Sequence, residues 1–543
     1  MKKRLFLICA LMLVVVLAFF AFVACNKTDA EMEASAPKAG LAFEIILVIF
    51  TAFAFCFAYY RLSKLYAKSN VFVNFDNTPS NEKAEPLAYG KKPAKTNVKP
   101  VVAFFTNTFV VLAGILLLAV LLRLILILTT YGVGQATTVV LSYAKILKNQ
   151  GIANFVEYTG GAIYYSPGAL YIMNIIGATG LEGKSASILL RFVNVLGDIA
   201  TISLIYFYGK KYVGNRLSSL FALLYAVLPL TMYFAGMHFG FESVLVALLL
   251  ATVVMLVEKK YLLTYLLIAL ATVLDVRAML VLPIALTYMG YMYYRDNSNL
   301  KKFTANRAKI VFGLVGFVAL VYILTLPVAI HQIAAGDAFF NFKYMAGKVM
   351  TNSIFVENAF NLYAMVGMNG KAFTNASVKY LNLAFILVLE IFAASMYFKN
   401  RNRQEIFLIA SFAFAVVAVF TLKTDWTYLV LAIAFALVYV MVSGEKRVFI
   451  VTSCLSFFGF LNIAQILYTN KVFANNPLTG LQNFAEKDGF LIAFSVFAVL
   501  LAGYFVYVVY SVTTNGKLVD IKALDEPLKD RIKRAFKGRK AAK

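Results

Sequence analysis

RFVNVLGDIATISLIYFYGKK, residues 191–211, is an apolar run that carries Arg191, Asn194 and Asp198 before ending on a lysine pair. About 20 such residues in helical form cross the hydrocarbon of a bilayer, so the stretch reads as a transmembrane helix. Its three polar residues stand at i, i+3 and i+7, which puts them on one helix face. Ionised side chains inside a bilayer are expensive, and they face a polar cavity or one another. Two readings follow for Arg191 and Asp198: a structural ion pair between helices, or a place in a substrate site. Arg191 lies in the outer part of the span, where a long guanidinium side chain can snorkel toward a lipid phosphate.

The rest of the chain repeats this pattern. Its 543 residues are 62% hydrophobic and 14% charged, with a mean hydropathy of +0.79, well outside the range of water-soluble domains. Apolar segments fall near 5–24, 41–60, 101–128, 185–208, 215–236, 242–257, 260–275, 277–293, 310–333, 376–398, 405–422, 426–442, 448–468 and 490–512, about fourteen in all. The expected fold is an all-α polytopic membrane helix bundle with both termini on one side. Lys and Arg gather in 61–100, 209–216, 258–260, 294–307, 399–403, 444–447 and the C-terminal tail. Those are the loops of a single side, which makes both termini cytoplasmic under the positive-inside tendency. The net charge of +25 therefore speaks for orientation and contact with anionic membrane lipids, and against a nucleic-acid partner. Cys9, Cys25, Cys56 and Cys454 have no spacing that suggests a disulfide framework or a zinc site. No GxGxxG fingerprint or P-loop is present.

Four regions follow from this map. Residues 1–60 form a signal-like helical hairpin, and 61–100 a basic cytoplasmic linker. Residues 101–512 are the main membrane domain, and 513–543 a basic cytoplasmic tail. The start, MKKRLFLICALMLVVVLAFFAFVAC, resembles a lipoprotein signal ending at Cys25, with Phe22 where Leu is usual. It also reads as an uncleaved first span, which its length favours. Two outer loops, 129–184 and 334–375, are too long for simple turns, and such loops carry function. In the first, VVLSYAKILKNQG has helical apolar spacing and suggests an amphipathic helix on the membrane surface. GALYIMNIIGATG at 168–180 is too short to span and reads as a re-entrant or interfacial segment.

Several polar stretches stand out along this map. YYSPGALY at 164–171 joins Tyr164 and Tyr165 to Ser166-Pro167-Gly168, an extended residue held by proline and then a free one. GMHFGFES at 236–243 brings His238 and Glu242 into the start of a helix, and LDVR sets Asp275 and Arg277 at the outer end of a hairpin. ENAFNLYAMVG at 357–367 holds Asn358 and Asn361 at i, i+3. Each has a plain reading: belt tyrosines, an acidic first turn, a local ion pair, and amides at backbone ends.

Taken in order, from Tyr131 to Gly177 and on through these stretches to about residue 370, the chain resembles the GT-C superfamily, and within it bacterial mannosyltransferase-like members. Those are integral-membrane glycosyltransferases that use polyprenyl-phosphate sugars. The resemblance implies a GT-C type bundle with an outward cavity. There a sugar would pass from a polyprenyl-phosphate-linked donor to a glycan, lipid or protein acceptor at the outer face of the plasma membrane. It maps Gln135, Tyr164, Tyr165, Arg191, Asp198, His238, Arg277, Asn358 and Asn361 onto substrate-binding positions.

The match departs where chemistry is expected. Family members carry an acid on the first outer loop as base or metal ligand, but after Gly134 this chain has Gln135, and an amide cannot take the acceptor proton. Tyr164 stands at the second acidic position, and Ser166 replaces a proline. Glu157 and Glu242 are the acids left to act as catalytic groups. Either would hold a divalent ion, Mg or Mn, if one is used, with Arg191 and Arg277 on the lipid phosphate. A non-catalytic relative, a lipid-linked glycan flippase or polymerase, and a transporter are the other readings of such a bundle.

Overall fold

The computed structural model describes residues 108–129, 135–159, 165–295, 300–350, 354–373, 377–400, 404–422, 427–469 and 488–515. The expected hairpin 1–60, the linker 61–100 and all but the first residues of the tail lie outside them. The described residues are helical apart from isolated bridges at Ile354–Ala372 and Val356–Asn369.

Helix α1 (Thr108–Thr129) is followed within 129–184 by α2 (Gln135–Gln150), the short turn α3 (Phe155–Tyr158) and α4 (Pro167–Ala178). The quoted stretch lies in α5 (Gly183–Val213), and α6 (Asn215–Val227) and α7 (Pro229–Gly236) follow it. Next come α8 (Glu242–Val257), α9 (Tyr261–Leu274), a 3₁₀ turn (Val276–Leu280), α10 (Val281–Arg295) and the long α11 (Leu300–Ala334). The long connection 334–375 holds α12 (Phe340–Met350) and α13 (Leu362–Met365). The chain then returns through α14 (Ser377–Asn400), α15 (Glu405–Phe420), α16 (Tyr428–Ser443), α17 (Lys446–Thr469) and α18 (Asp488–Asn515).

Every apolar segment read from residue 101 onward coincides with a helix or helix pair, because apolar composition along the chain is what the bilayer selects. Among the described residues, however, six helices are long and apolar enough to cross a membrane alone, and up to seven if a bent pair counts as one span. Of the fourteen expected segments, 5–24 and 41–60 lie outside the described residues, and the other twelve are helical with six or seven of that length and composition. The segments 242–257, 260–275, 405–422 and 426–442 form helices of 14 to 16 residues. At about 1.5 Å per residue these fall short of a full bilayer crossing. The bent pair is α6 and α7, which meet at 55°. Its cause is local: Leu228 precedes proline and is extended, and Pro229 starts the next helix at N1.

All of α7 is buried, as is nearly every residue of α15 and α16, so the core lies around these helices, α5 and α8. By contrast α11, α14 and α18 present Phe312, Val315, Leu387, Ile391 and Leu500 outward, the faces a lipid environment accepts. The expected helix over VVLSYAKILKNQG is α2. Helix α2 turns Val140, Tyr143, Ala144 and Leu147 into the protein core, and its apolar stripe serves the protein rather than lipid.

The two ends of the bundle differ in chemistry. At one end Lys211 pairs with Glu258 at 2.6 Å and Tyr208 donates to Gln404 at 2.6 Å, which joins three of the basic connectors. Burial alone would raise the Glu258 carboxyl, but hydrogen bonds from Lys211 and Tyr212 and the charges of Lys211 and Lys260 outweigh it and hold it below the ordinary range. The opposite end of α8 and α9 carries Glu242 and Asp275, and there the candidate site forms.

Candidate functional site

Three of the sequence stretches converge at that end. Helix α9 stops at Asp275, whose Oδ1 accepts the Arg277 backbone N–H at 2.9 Å and so caps the 3₁₀ turn. This turn aims the Arg277 side chain back across the helix ends. Its Nη2 donates to Asp275 Oδ2 at 2.8 Å and to Glu242 Oε1 at 3.0 Å, and Nη1 donates to the Thr427 hydroxyl. The guanidinium also lies over the Tyr428 ring, 5.3 Å from its centroid. The other carboxylate oxygen of Glu242, Oε2, stands 3.4 Å from His238 Nε2 and accepts no hydrogen bond. The His238 ring is stacked on Tyr233 and meets Phe234 edge-on, which fixes its plane. Side chains of His238 and Arg277 are 19% and 13% exposed while Glu242 and Asp275 are buried, so the group sits just under the rim with its two cationic members outermost.

The third stretch is YYSPGALY. Ser166 is extended before Pro167, which starts α4 at N1. Gly168 lies against the last turn of α9, where a Cβ would come within 2.8 Å of Leu274 Cα; only glycine allows this approach. The contact brings Tyr165 beside the charged group. Burial, and after it the negative charge of Glu242 and the neighbouring Tyr143, push the Tyr165 phenol well above its usual range. The Tyr165 carbonyl accepts from the Tyr344 hydroxyl at 3.2 Å, and its ring meets Tyr143 edge-on at 6.0 Å.

The other expected residues are placed elsewhere. Arg191 is fully buried, and its guanidinium is spent on main-chain oxygens: Gly236 at 3.0 Å, Ile127 at 2.9 Å and Ser187 at 3.3 Å. It therefore does not reach toward a lipid phosphate, because two helix ends left with unsatisfied carbonyls lie closer. Asp198 shares the helix face with Arg191 but pairs with Arg123 of α1, at 2.5 Å. Tyr225 also donates to Asp198, and Arg123 adds bonds to the Ala226 carbonyl and Thr231. Glu157 is exposed on α3, apart from this group. Asn361 caps α13 by accepting from the Tyr363 and Ala364 N–H groups, and Asn358 exchanges hydrogen bonds with Asn369. Both asparagines therefore hold the long connection 334–375 rather than meeting the cluster. Asn361 does touch Thr421, across the same interhelical connection whose far end, Thr427, touches Arg277. Gln135 begins α2 with its side chain outside the described part, and Tyr164 lies outside it altogether.

Three residues escaped the sequence reading. Arg123 was readable as a lone charge inside an apolar run, which requires a partner. Thr427 and Tyr428 carried no signal, since hydroxyl and aromatic residues are ordinary at a helix start.

Among the described residues no group of three or more His, Cys, Asp or Glu side chains is arranged to hold a metal ion. Glu242 has one oxygen on a guanidinium and the other facing an imidazole, surroundings that suit a cation already present better than an added divalent one.

No family model matches the chain, and no curated protein matches it. Among solved structures, the chain is similar to the Archaeoglobus fulgidus oligosaccharyltransferase, crystallised tethered by a disulfide bond to an acceptor peptide containing the NVT sequon. The identity is 14% and the TM-score 0.37, over 76% of this chain. The match spans 56% of that enzyme's length. A likeness of this size carries no argument about the site, which stands on this chain's own geometry.

Proposed function

We propose that this membrane protein is a glycosyltransferase of the polyprenyl-phosphate-sugar class, acting at the end of the bundle where Glu242, Asp275 and Arg277 lie. The observation that carries this reading is the convergence of YYSPGALY, GMHFGFES and LDVR on one rim group, stretches separated by up to about a hundred residues. The acceptor hydroxyl oxygen bonds to the anomeric carbon as the bond from that carbon to the phosphate oxygen breaks. The acceptor proton goes to the His238–Glu242 pair: His238, the more exposed of the two, takes it at the rim, and the covered carboxylate of Glu242 balances the imidazolium. Arg277 stabilises the departing phosphate, the largest single contribution such a site can make. Tyr165 stacks on a sugar ring at the lip. Donor and acceptor would meet on the outer face of the plasma membrane.

The test uses the full chain in proteoliposomes with a radiolabelled polyprenyl-phosphate sugar and a membrane-glycan extract as acceptor. Label moves to acceptor with the wild type, and Glu242→Gln and Arg277→Gln each lower the rate by roughly two orders of magnitude. Undiminished transfer by both variants overturns the assignment, and label that crosses the bilayer without bond change supports a flippase instead.

One observation favours a second reading. Arg277 is engaged on every side, by Glu242, Asp275, Thr427 and Tyr428, which suits a binding relative that holds a lipid-linked glycan without turnover. Saturable donor binding with no sugar release selects it.

A further inference from the structure

The turn between α7 and α8, residues 237–241, carries His238 and leads into Glu242, and it is held from below by the polar face of α5. Arg191 takes the Gly236 carbonyl at 3.0 Å and lies 5.6 Å from the Phe239 ring centroid. One turn on, Asn194 Nδ2 donates to the Gly240 carbonyl at 2.6 Å. Asn194 and Arg191 are fully buried, and Phe239 and Phe241 point into the core, so of this turn it is His238 that is left toward the rim. Gly240 itself lies directly beneath the reactive pair. A Cβ there would collide with Glu242 Oε2 and come within 2.6 Å of His238 Nε2. A side chain at 240 and a loosened 240 carbonyl therefore have the same effect: both change the spacing of imidazole and carboxylate.

We propose that Asn194 and Gly240 are positioning residues that set the His238–Glu242 pair, so that the intramembrane polar face of α5 serves the rim group through the main chain without touching substrate. The catalytic part of this claim rests on the glycosyltransferase reading, while the positioning itself does not. Near-attack geometry is unforgiving: a displacement of about 1 Å in a reacting group costs roughly 10²-fold in rate.

The chain has two histidines, which gives a direct measurement. His331, near the end of α11, is exposed, whereas His238 is packed against Tyr233, Phe234 and Glu242. Diethyl pyrocarbonate labelling of the full chain in nanodiscs, read by peptide mass spectrometry, reports His238 against His331 as internal reference. In the wild type His238 reacts several-fold more slowly than His331. In Asn194→Leu and in Gly240→Ala the His238 rate rises toward that of His331, while in the control Ser203→Ala, on the same helix, it does not move. In the transfer assay the same two variants lose about 100-fold in kcat with a donor KM within about twofold of wild type.

Thermal melting shows which variants are folded, and Asn194→Ser takes the place of either one that is not. Folded variants with unchanged His238 labelling and unchanged kcat overturn the proposal. A wild type without sugar transfer removes the functional reading and leaves the labelling to decide the positioning claim alone.

Discussion

Arg123 with Asp198 inside the bundle, and Arg277 with Glu242 and Asp275 at its rim, are built from the same side chains and serve different ends. The inner pair is closed: both side chains are essentially unexposed, and the guanidinium is shared among a carboxylate, two carbonyls and a threonine. The rim group is only partly closed: Glu242 is buried and Arg277 has a partner on each side, but the His238 and Arg277 side chains keep 19% and 13% exposure. One guanidinium faces two carboxylates, a carboxylate oxygen is left without a donor, and the flanking side chains keep some exposure. A closed network stabilises an arrangement, while a partly closed one has bonding capacity to offer a ligand. The contrast also separates cost from use, since breaking the inner pair strands a charge, whereas removing Glu242 leaves Arg277 on Asp275.

The contrast is broken most severely by Arg123→Met, which leaves the Asp198 carboxylate alone in the core. A loss of about 3–5 kcal/mol is expected, read as a lower melting temperature in detergent, and adding Asp198→Leu recovers most of it. A single variant that melts like wild type would make the inner pair dispensable. Next in size is Glu242→Gln, with transfer lowered by roughly 10²-fold and a melting temperature close to wild type, because Arg277 keeps Asp275. A smaller effect of opposite sign sharpens the comparison. Asp275 competes with a phosphate for Arg277, so Asp275→Asn, which keeps the cap on the Arg277 N–H, lowers the donor KM by about fivefold, equivalent to about 1 kcal/mol. The smallest concerns the basic end, where Glu258→Gln costs less than about 1 kcal/mol because Lys211 is well exposed. The Glu258 carboxyl is held below its unfolded value of about 4.3, so its contribution is present above that pH and fades as the pH falls further. A melting series from pH 7 down to pH 3 in both proteins checks the sign.

How far the residues foretold this arrangement depends on the kind of signal. Helix positions were legible from 101 onward because apolarity is written residue by residue along the chain. The number of crossings was not, since a buried helix of 16 residues and a spanning one share a composition and differ in length alone. His238 with Glu242, and Asp275 with Arg277, were legible as two separate polar stretches, and it is the α8–α9 hairpin that returns them to one side. Asp198 was read on the correct face with the wrong partner. Spacing along α5 points from Asp198 to Arg191, and it contains nothing about α1, where Arg123 waits. Asn358 and Asn361 look the same in sequence whether an amide meets a sugar hydroxyl or a backbone N–H, and here backbone and neighbouring amides take them.

The bend at Leu228–Pro229 bears on how the chain is made. Arg123 leaves the ribosome 75 residues before Asp198 and 103 before the Ala226 carbonyl that it also binds. A lone arginine within a nascent span disfavours insertion, and Arg123 stands in the last two turns of α1, so α1 is made with that debt outstanding. Its settlement waits for α5 to arrive with the carboxylate and for the kinked segment to fold back with its free carbonyls. Order of synthesis therefore bears on this bundle: the partners of Arg123 lie in α5, α6 and α7, all of which follow α1 in the chain.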